Sequence, residues 1–206
     1  DLVRSRGLGD VYKRQYVDRN NTELVSNWGN LVNRVLNMTN RYFKGVVPDP
    51  GQLTNQDEAL LAALDAGLEN VSALYDACKF RAAVQENLRL SSLVNQYLEE
   101  TSPWTTAKTD LTATARSLYT ALQAINALKI AWAPILPFTS QALHEMLGEA
   151  GSLFGTQKVE TYQESSRSHV ALTYDSAGAV GEWARAEIPV GRQLPKPKPL
   201  FKKLDD

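Results

Sequence analysis

The chain has 206 residues, 43% hydrophobic, 22% charged and 8% aromatic, a composition that excludes a disordered, collagen-like or disulfide-stapled polypeptide. Its formal net charge of −1 excludes nucleic-acid binding through bulk electrostatics, so any such binding must be local. With one cysteine, Cys78, and two histidines, His144 and His169, the chain offers neither an internal disulfide nor a thiol-imidazole zinc set.

No run of about 18 apolar residues exists, and the most apolar stretch, Ala131 to Phe138, is interrupted by Pro134 and Pro137. A membrane partner is therefore not expected, and a reducing cytoplasm suits the cysteine usage. The chain opens on Asp1 without a signal-peptide pattern and reads as a fragment.

Residues 1–15 show neither helical nor strand period and do not lead into the first predicted helix. They read as a non-native leader resembling translated adapter sequence. Residues 16–43 carry Leu24, Trp28, Leu31, Val35, Met38 and Tyr42 at steps of three and four, which predicts one long amphipathic helix. It stops at Gly45, before the proline-glycine loop Pro48 to Gly51.

A second helix is predicted to start near Asn55, as a cap with Glu58 three residues on, and to run through Leu60, Leu64, Leu68 and Val71 to about Tyr75. A third spans about Phe80 to Glu100 and must end before Pro103. A fourth covers about Asp110 to Trp132, through Leu118, Leu122, Ile125 and Leu128, and a short fifth about Thr139 to Leu147. Helices joined by short loops argue an all-α fold, an antiparallel helical bundle over residues 16–150.

From Gly148 the helical period is lost. Residues 151–206 read as an extended tail, because the alternating prolines of Leu194-Pro195-Lys196-Pro197-Lys198-Pro199 impose a polyproline-like course that cannot form its own core. Such a tail must lie on another surface or stay mobile. One alternating run, Val170 to Tyr174, is compatible with a short strand pair but does not by itself establish one.

No nucleophile with a base, convergent carboxylate pair, phosphate-cradling glycine loop or metal cluster stands out. His144 reads as solvated or core-capping, and Cys78 as a small, buried or half-buried residue. The polar face of the first helix is more informative. Asn27, Asn30, Arg34, Asn37 and Arg41 recur at steps of three and four and form a stripe about 20 Å long. Asparagine costs roughly half a kcal/mol against alanine inside a helix, so a merely solvated face is better built from Glu, Lys or Gln. Asn and Arg can present paired hydrogen-bonding groups to base edges and phosphate. Trp104, held just after the helix-ending Pro103, offers a flat ring either for stacking an unpaired base or for capping the core between helices.

With Gly29-Asn30-Leu31-Val32-Asn33-Arg34, the Ser102-Pro103-Trp104 turn and the terminal Pro197-Lys198-Pro199-Leu200-Phe201-Lys202-Lys203, residues 16–206 resemble the C-terminal part of bacterial methionyl-tRNA synthetases. The resemblance implies the helical-bundle anticodon-binding domain of a class I aminoacyl-tRNA synthetase. It assigns Asn30 and Arg34 to hydrogen bonds with the first anticodon base and Trp104 to stacking on it. The remaining stripe residues Asn27, Asn37 and Arg41, together with Pro103, are candidate peripheral RNA contacts. The implied partners are a tRNA carrying the CAU anticodon and a catalytic domain in cis, against which the tail would pack. The His-Ile-Gly-His and Lys-Met-Ser-Lys-Ser signatures are absent from this sequence. The resemblance therefore places ATP and magnesium in a catalytic domain outside the chain, assigns no cofactor to this stretch and implies that it is inactive alone. Related readings are the anticodon domains of cysteinyl, leucyl or valyl synthetases; a reading of another class is a helical protein-interaction module.

Overall fold

The structure, a computed structural model, describes the backbone of residues 8–205 and the side chains from residue 11. Helix α1 (Leu8–Arg19) passes into a π-helical stretch (Asn20–Gly29) and then into α2 (Asn30–Phe43). Residues 8–15 thus correct the expectation of a segment that does not lead into the first helix; residues 1–7 lie outside the described residues. Among residues 11–19 only Val17 is buried, so no apolar period announces α1. Extending a helix by further turns costs less than nucleating one.

At the end of α2, Lys44 and Gly45 both take positive φ, 53° and 76°. The turn reverses the chain and brings Gly45 against the returning C-terminal segment, where Leu194 N–H donates to Gly45 O at 2.7 Å. Helix α3 (Asn55–Asp76) begins one residue earlier in its capping logic than the sequence suggested. Thr54, in extended backbone, caps it, and Asp57 returns the bond to the Thr54 N–H at 2.7 Å. Asn55 and Glu58 show the same spacing, but Asn55 is already helical.

Helix α4 (Phe80–Thr101) follows a turn in which Cys78 takes φ 54° and is exposed, correcting its expected burial. Ser102 then adopts φ 42°, and Pro103 opens the one-turn helix α5 (Pro103–Thr106). Proline is preorganised for a first helical position. Trp104 consequently stands on a helical turn rather than in a loop. Asp110 caps α6 (Leu111–Trp132), accepting from Ala113 N–H at 2.9 Å, and α7 (Pro137–Met146) completes the bundle.

Helix α6 is the axle. From Ser117 to Trp132 every residue is buried, with α2, α3, α4 and α7 packed around it. Its alanines, among them Ala121, Ala124 and Ala131, allow close helix approach, while Leu118, Leu122, Ile125 and Leu128 fill the spaces between. Trp132 stacks on Trp28 with ring centroids 6.4 Å apart. Burying each of these large side chains stabilises the fold by roughly 1.5–3 kcal/mol.

One stripe of α6 is polar and equally buried. Gln123 brackets Ile188, donating to its carbonyl and accepting from its N–H, both at 2.9 Å. Asn126 donates to Ala186 O at 2.7 Å, and Lys129 Nζ donates to Asn126 Oδ1 at 2.6 Å. Lys129 also lies 3.2 Å from His144 Nδ1, so the neutral ring accepts there and donates from Nε2 to Ala150 O at 3.2 Å. His144, only 4% exposed, is part of a buried network rather than a solvated residue.

These contacts correct the reading of residues 151–206 as one extended tail without a surface in the chain. Strands β1 (Thr156–Gln163) and β2 (Ser168–Asp175) form an antiparallel hairpin in the register Thr156↔Asp175 to Gln163↔Ser168. It stands in solvent, with Val159, Val170 and Leu172 all exposed. The following residues bind the bundle: Trp183 Nε1 donates to Leu68 O at 3.0 Å and Arg185 grips Asp65 with two bonds of 2.9 Å. Ile188 and Leu194 are buried, and Val47 exchanges backbone bonds with Gly191 and Arg192 at 2.9 Å. The final residues return along the first helix to Asn21, whose side chain exchanges two 2.9 Å bonds with the Leu204 backbone. The fold remains predominantly helical, with this hairpin and strap added to the expected bundle.

Candidate nucleic-acid interface

The structure places Asn30 at the first position of α2 and Arg34 one turn later. Asn30 is exposed and Arg34 half-buried. Trp104 stands beside Arg34, its ring centroid 5.1 Å from Arg34 Cζ. The indole is half-buried, with part of its surface against the core. The structure therefore brings Arg34 and Trp104 together, although seventy residues separate them in sequence.

Local chain geometry produces this meeting. Ser102, in its left-handed conformation, turns the chain immediately after α4 and its hydroxyl bonds Glu99 O at 2.7 Å. The turn swings Trp104 back beside the last turn of α4. Glu99, on that turn, accepts from Arg34 Nη2 at 2.8 Å.

Glu99 was not legible as a site residue. The available signal was the pair Glu99-Glu100 in the last turn of a helix, where carboxylates oppose the helix dipole and call for a partner. The Arg34 side chain is 29% exposed and that of Glu99 61%, so solvent screens this pair to about 0–1 kcal/mol. The stacked guanidinium adds about 0.5–1 kcal/mol. Arg34 is thus preoriented but not locked.

The remaining stripe residues divide. Asn37 and Arg41 are exposed on the same helix; Asn37 donates to Asn33 O at 2.8 Å and Oδ1 at 2.7 Å, and Arg41 lies 5.6 Å from the Tyr42 ring centroid. Asn27 is turned away. It lies in the π-helical stretch, whose i to i+5 bonding widens each turn and rotates Asn27 toward α4. There it donates to Ser92 Oγ at 3.2 Å and accepts from Asn95 Nδ2 at 3.0 Å. Pro103 is buried and serves the turn rather than the exposed face. No group of three or more His, Cys, Asp or Glu side chains is placed to hold a metal ion among the described residues. Among the described residues no helix is long and apolar enough to cross a membrane.

The exposed face thus combines a carboxamide with both donor and acceptor, a guanidinium and an aromatic ring. Such groups can read the edge of an unpaired planar ligand and stack on its face. A family model described as the anticodon binding domain of methionyl tRNA ligase matches residues 47–176, which include Glu99 and Trp104 but not Asn30 and Arg34. Methionine–tRNA ligase of Chloroflexus aggregans is 46% identical over 193 residues, covering 93% of this chain and 32% of that protein. The corresponding ligase of Thermomicrobium roseum is 42% identical, covering 93% of this chain and 33% of that protein.

The apo Mycobacterium tuberculosis methionyl-tRNA synthetase superposes with TM-score 0.74 at 25% identity, over 94% of this chain and 35% of that one. Its complex with methionyl-adenylate gives TM-score 0.72 at 26% identity, over 91% and 33%. The chain spans about a third of the length of these relatives. These likenesses decide against the cysteinyl, leucyl and valyl alternatives: the chain belongs to the family of the anticodon-binding domain of methionyl-tRNA ligase.

Proposed function

We propose that this chain recognises the CAU anticodon of a methionine tRNA, with Asn30 and Arg34 reading the first anticodon base and Trp104 stacking on it. The observation that carries the reading is Arg34 beside the Trp104 ring at 5.1 Å, with Asn30 exposed one helical turn away. An unpaired base inserted at this ring exchanges the weak Arg34–Glu99 contact for hydrogen bonds to its own edge. A wrong base leaves the amide or guanidinium without its partner, and that unpaired cost supplies the selectivity. Asn37 and Arg41 continue the same exposed face toward the flanking nucleotides.

On this reading the chain is the anticodon module of an ATP-dependent methionine–tRNA ligase working in the cytoplasm. Adenylation, with ATP and magnesium, belongs to a catalytic domain in cis outside this chain.

Trp104→Ala tests the stacking role. Its affinity for an RNA hairpin carrying the CAU anticodon loop should fall by about 1–3 kcal/mol, as for the loss of one base stack. Filter binding that shows undiminished affinity in a variant with unchanged circular dichroism rejects the site.

A further inference from the structure

The C-terminal strap carries charge that the anticodon site does not use. Residues 192–204 include Arg192, Lys196, Lys198, Lys202 and Lys203 and no acid. Arg192 is paired with Glu149. The four lysines are exposed, and none makes an ion pair among the described residues.

The strap is fixed at both ends beside the helix that bears the site. Gln193 Nε2 donates to Lys44 O at 3.2 Å at one end, and Leu204 N–H donates to Asn21 Oδ1 at 2.9 Å at the other. Residues 193–204 cover about 34 Å as an extended polyproline-like chain. Residues 21–44 cover about the same distance as a helix at 1.5 Å per residue. The strap accordingly runs antiparallel to α2 along its length.

Phe201 fixes the register. A Cβ on Gly29 would come within 2.7 Å of the Phe201 ring, and Gly29 directly precedes Asn30. Lys202 and Lys203 therefore lie beside residues 21–29, next to the end of α2 that begins with Asn30. Lys196 and Lys198 lie farther along the strap, in the stretch that passes α7, where the Lys198 N–H points at Met146 Sδ at 3.4 Å. Glu145 is the acid that shares this groove.

We propose that the strap is a phosphate-binding rim: Lys196, Lys198, Lys202 and Lys203 contact the RNA backbone beside the anticodon while Asn30, Arg34 and Trp104 read the base. This rests on the anticodon reading of α2. The prolines between the lysines hold the charges on a stiff backbone, so less conformational freedom is lost when phosphates bind. The arrangement also fits a near-neutral chain: a row of four cations that form no ion pair among the described residues gives a local electrostatic track without a net basic protein.

The test compares this chain with K196Q/K198Q/K202Q/K203Q, with the corresponding four Lys→Arg changes, and with Trp104→Ala. Each is titrated with a CAU anticodon hairpin and with one altered at the first anticodon base, across a range of salt. The Gln variant should show a plot of log affinity against log salt shallower by about 3, at roughly 0.7–0.9 per phosphate contact. Its loss should be equal for both hairpins, and the Arg variant should keep the wild-type slope. An unchanged slope in the Gln variant, with binding lost in Trp104→Ala, overturns the rim and leaves the anticodon reading intact. A shallower slope in the Gln variant, with Trp104→Ala binding and discriminating normally, supports the rim and rejects the anticodon site. A loss in the Gln variant confined to one hairpin also overturns the rim, because phosphate contacts carry no base information.

Discussion

Leu31 and Arg34 stand three residues apart on α2 and belong to different physical regimes. Leu31 is fully buried in the cluster around α6, where dense packing resists any change of volume. Arg34 is held by one screened ion pair and one stacked ring, each worth about 1 kcal/mol or less. The contrast shows how one helix can be rigid enough to place its polar groups yet let them exchange partners. The apolar face sets position to within a fraction of a side chain, and the polar face keeps its hydrogen-bonding capacity available to a ligand.

That comparison can be broken by substitution. Leu31→Ala should destabilise the fold by about 2–5 kcal/mol, read as a lower denaturation midpoint in urea. The remaining folded molecules should bind the CAU hairpin as before. A binding defect in the folded fraction that exceeds the stability defect would show that the two faces are not separable.

A second effect belongs to the buried polar stripe. Burial pushes Lys129 down to about 8, Glu149 opposing this and Arg192 reinforcing it. Burial, followed by the Lys129 charge, lowers His144 below its ordinary 6.5. In each case the unfolded chain binds the proton more readily than the folded one. Stability therefore rises with pH from about 8 to 10.5 through Lys129, and falls as pH drops below 6.5 through His144. Lys129→Met should flatten the alkaline rise in denaturant-unfolding curves and move the His144 titration upward in NMR spectra. A His144 titration unmoved by that change means the two groups are not coupled.

The smallest effect is expected at the hairpin. Val159 and Leu172 pair across it and are 71% and 65% exposed, so replacing both by Thr should change the stability of this chain by no more than about 0.5 kcal/mol. A larger loss by thermal denaturation would mean that the hairpin face supports the bundle.

The sequence made the bundle legible wherever a helix buries one stripe. Leu60, Leu64, Leu68 and Val71 give α3 its period, and Pro103 marks the end of α4. Helix α1 was hidden because among residues 11–19 Val17 alone is buried, and a stretch without an apolar face has no period to show. The α3 cap was misplaced by one residue because Thr54–Asp57 and Asn55–Glu58 satisfy the same spacing; backbone conformation decides between them.

The strap was illegible for another reason: it is held by Gln123, Asn126 and main-chain groups of residues 186–194, and hydrogen bonds to backbone leave no trace in residue type. Spaced three apart on α6, Gln123, Asn126 and Lys129 were the available sign of a polar seam. Of the site itself, the unfavourable asparagines on α2 exposed Asn30, and the Pro103-Trp104 pair exposed the ring. Asn27 departs from the α2 stripe toward Ser92 and Asn95 because the π-helical stretch changes the angle between residues, which no α-helical spacing reveals.

On the proposed reading, the Asn30–Arg34–Trp104 face reads the first anticodon base. Its most direct test is the ratio of affinities for hairpins carrying CAU and a changed first base, measured for the wild-type chain and for Asn30→Ala and Arg34→Ala. The wild-type chain should prefer CAU by about 1–3 kcal/mol, the worth of a good base-edge contact, and each variant should lose most of that preference while keeping its fold. Full discrimination in both variants would contradict the account.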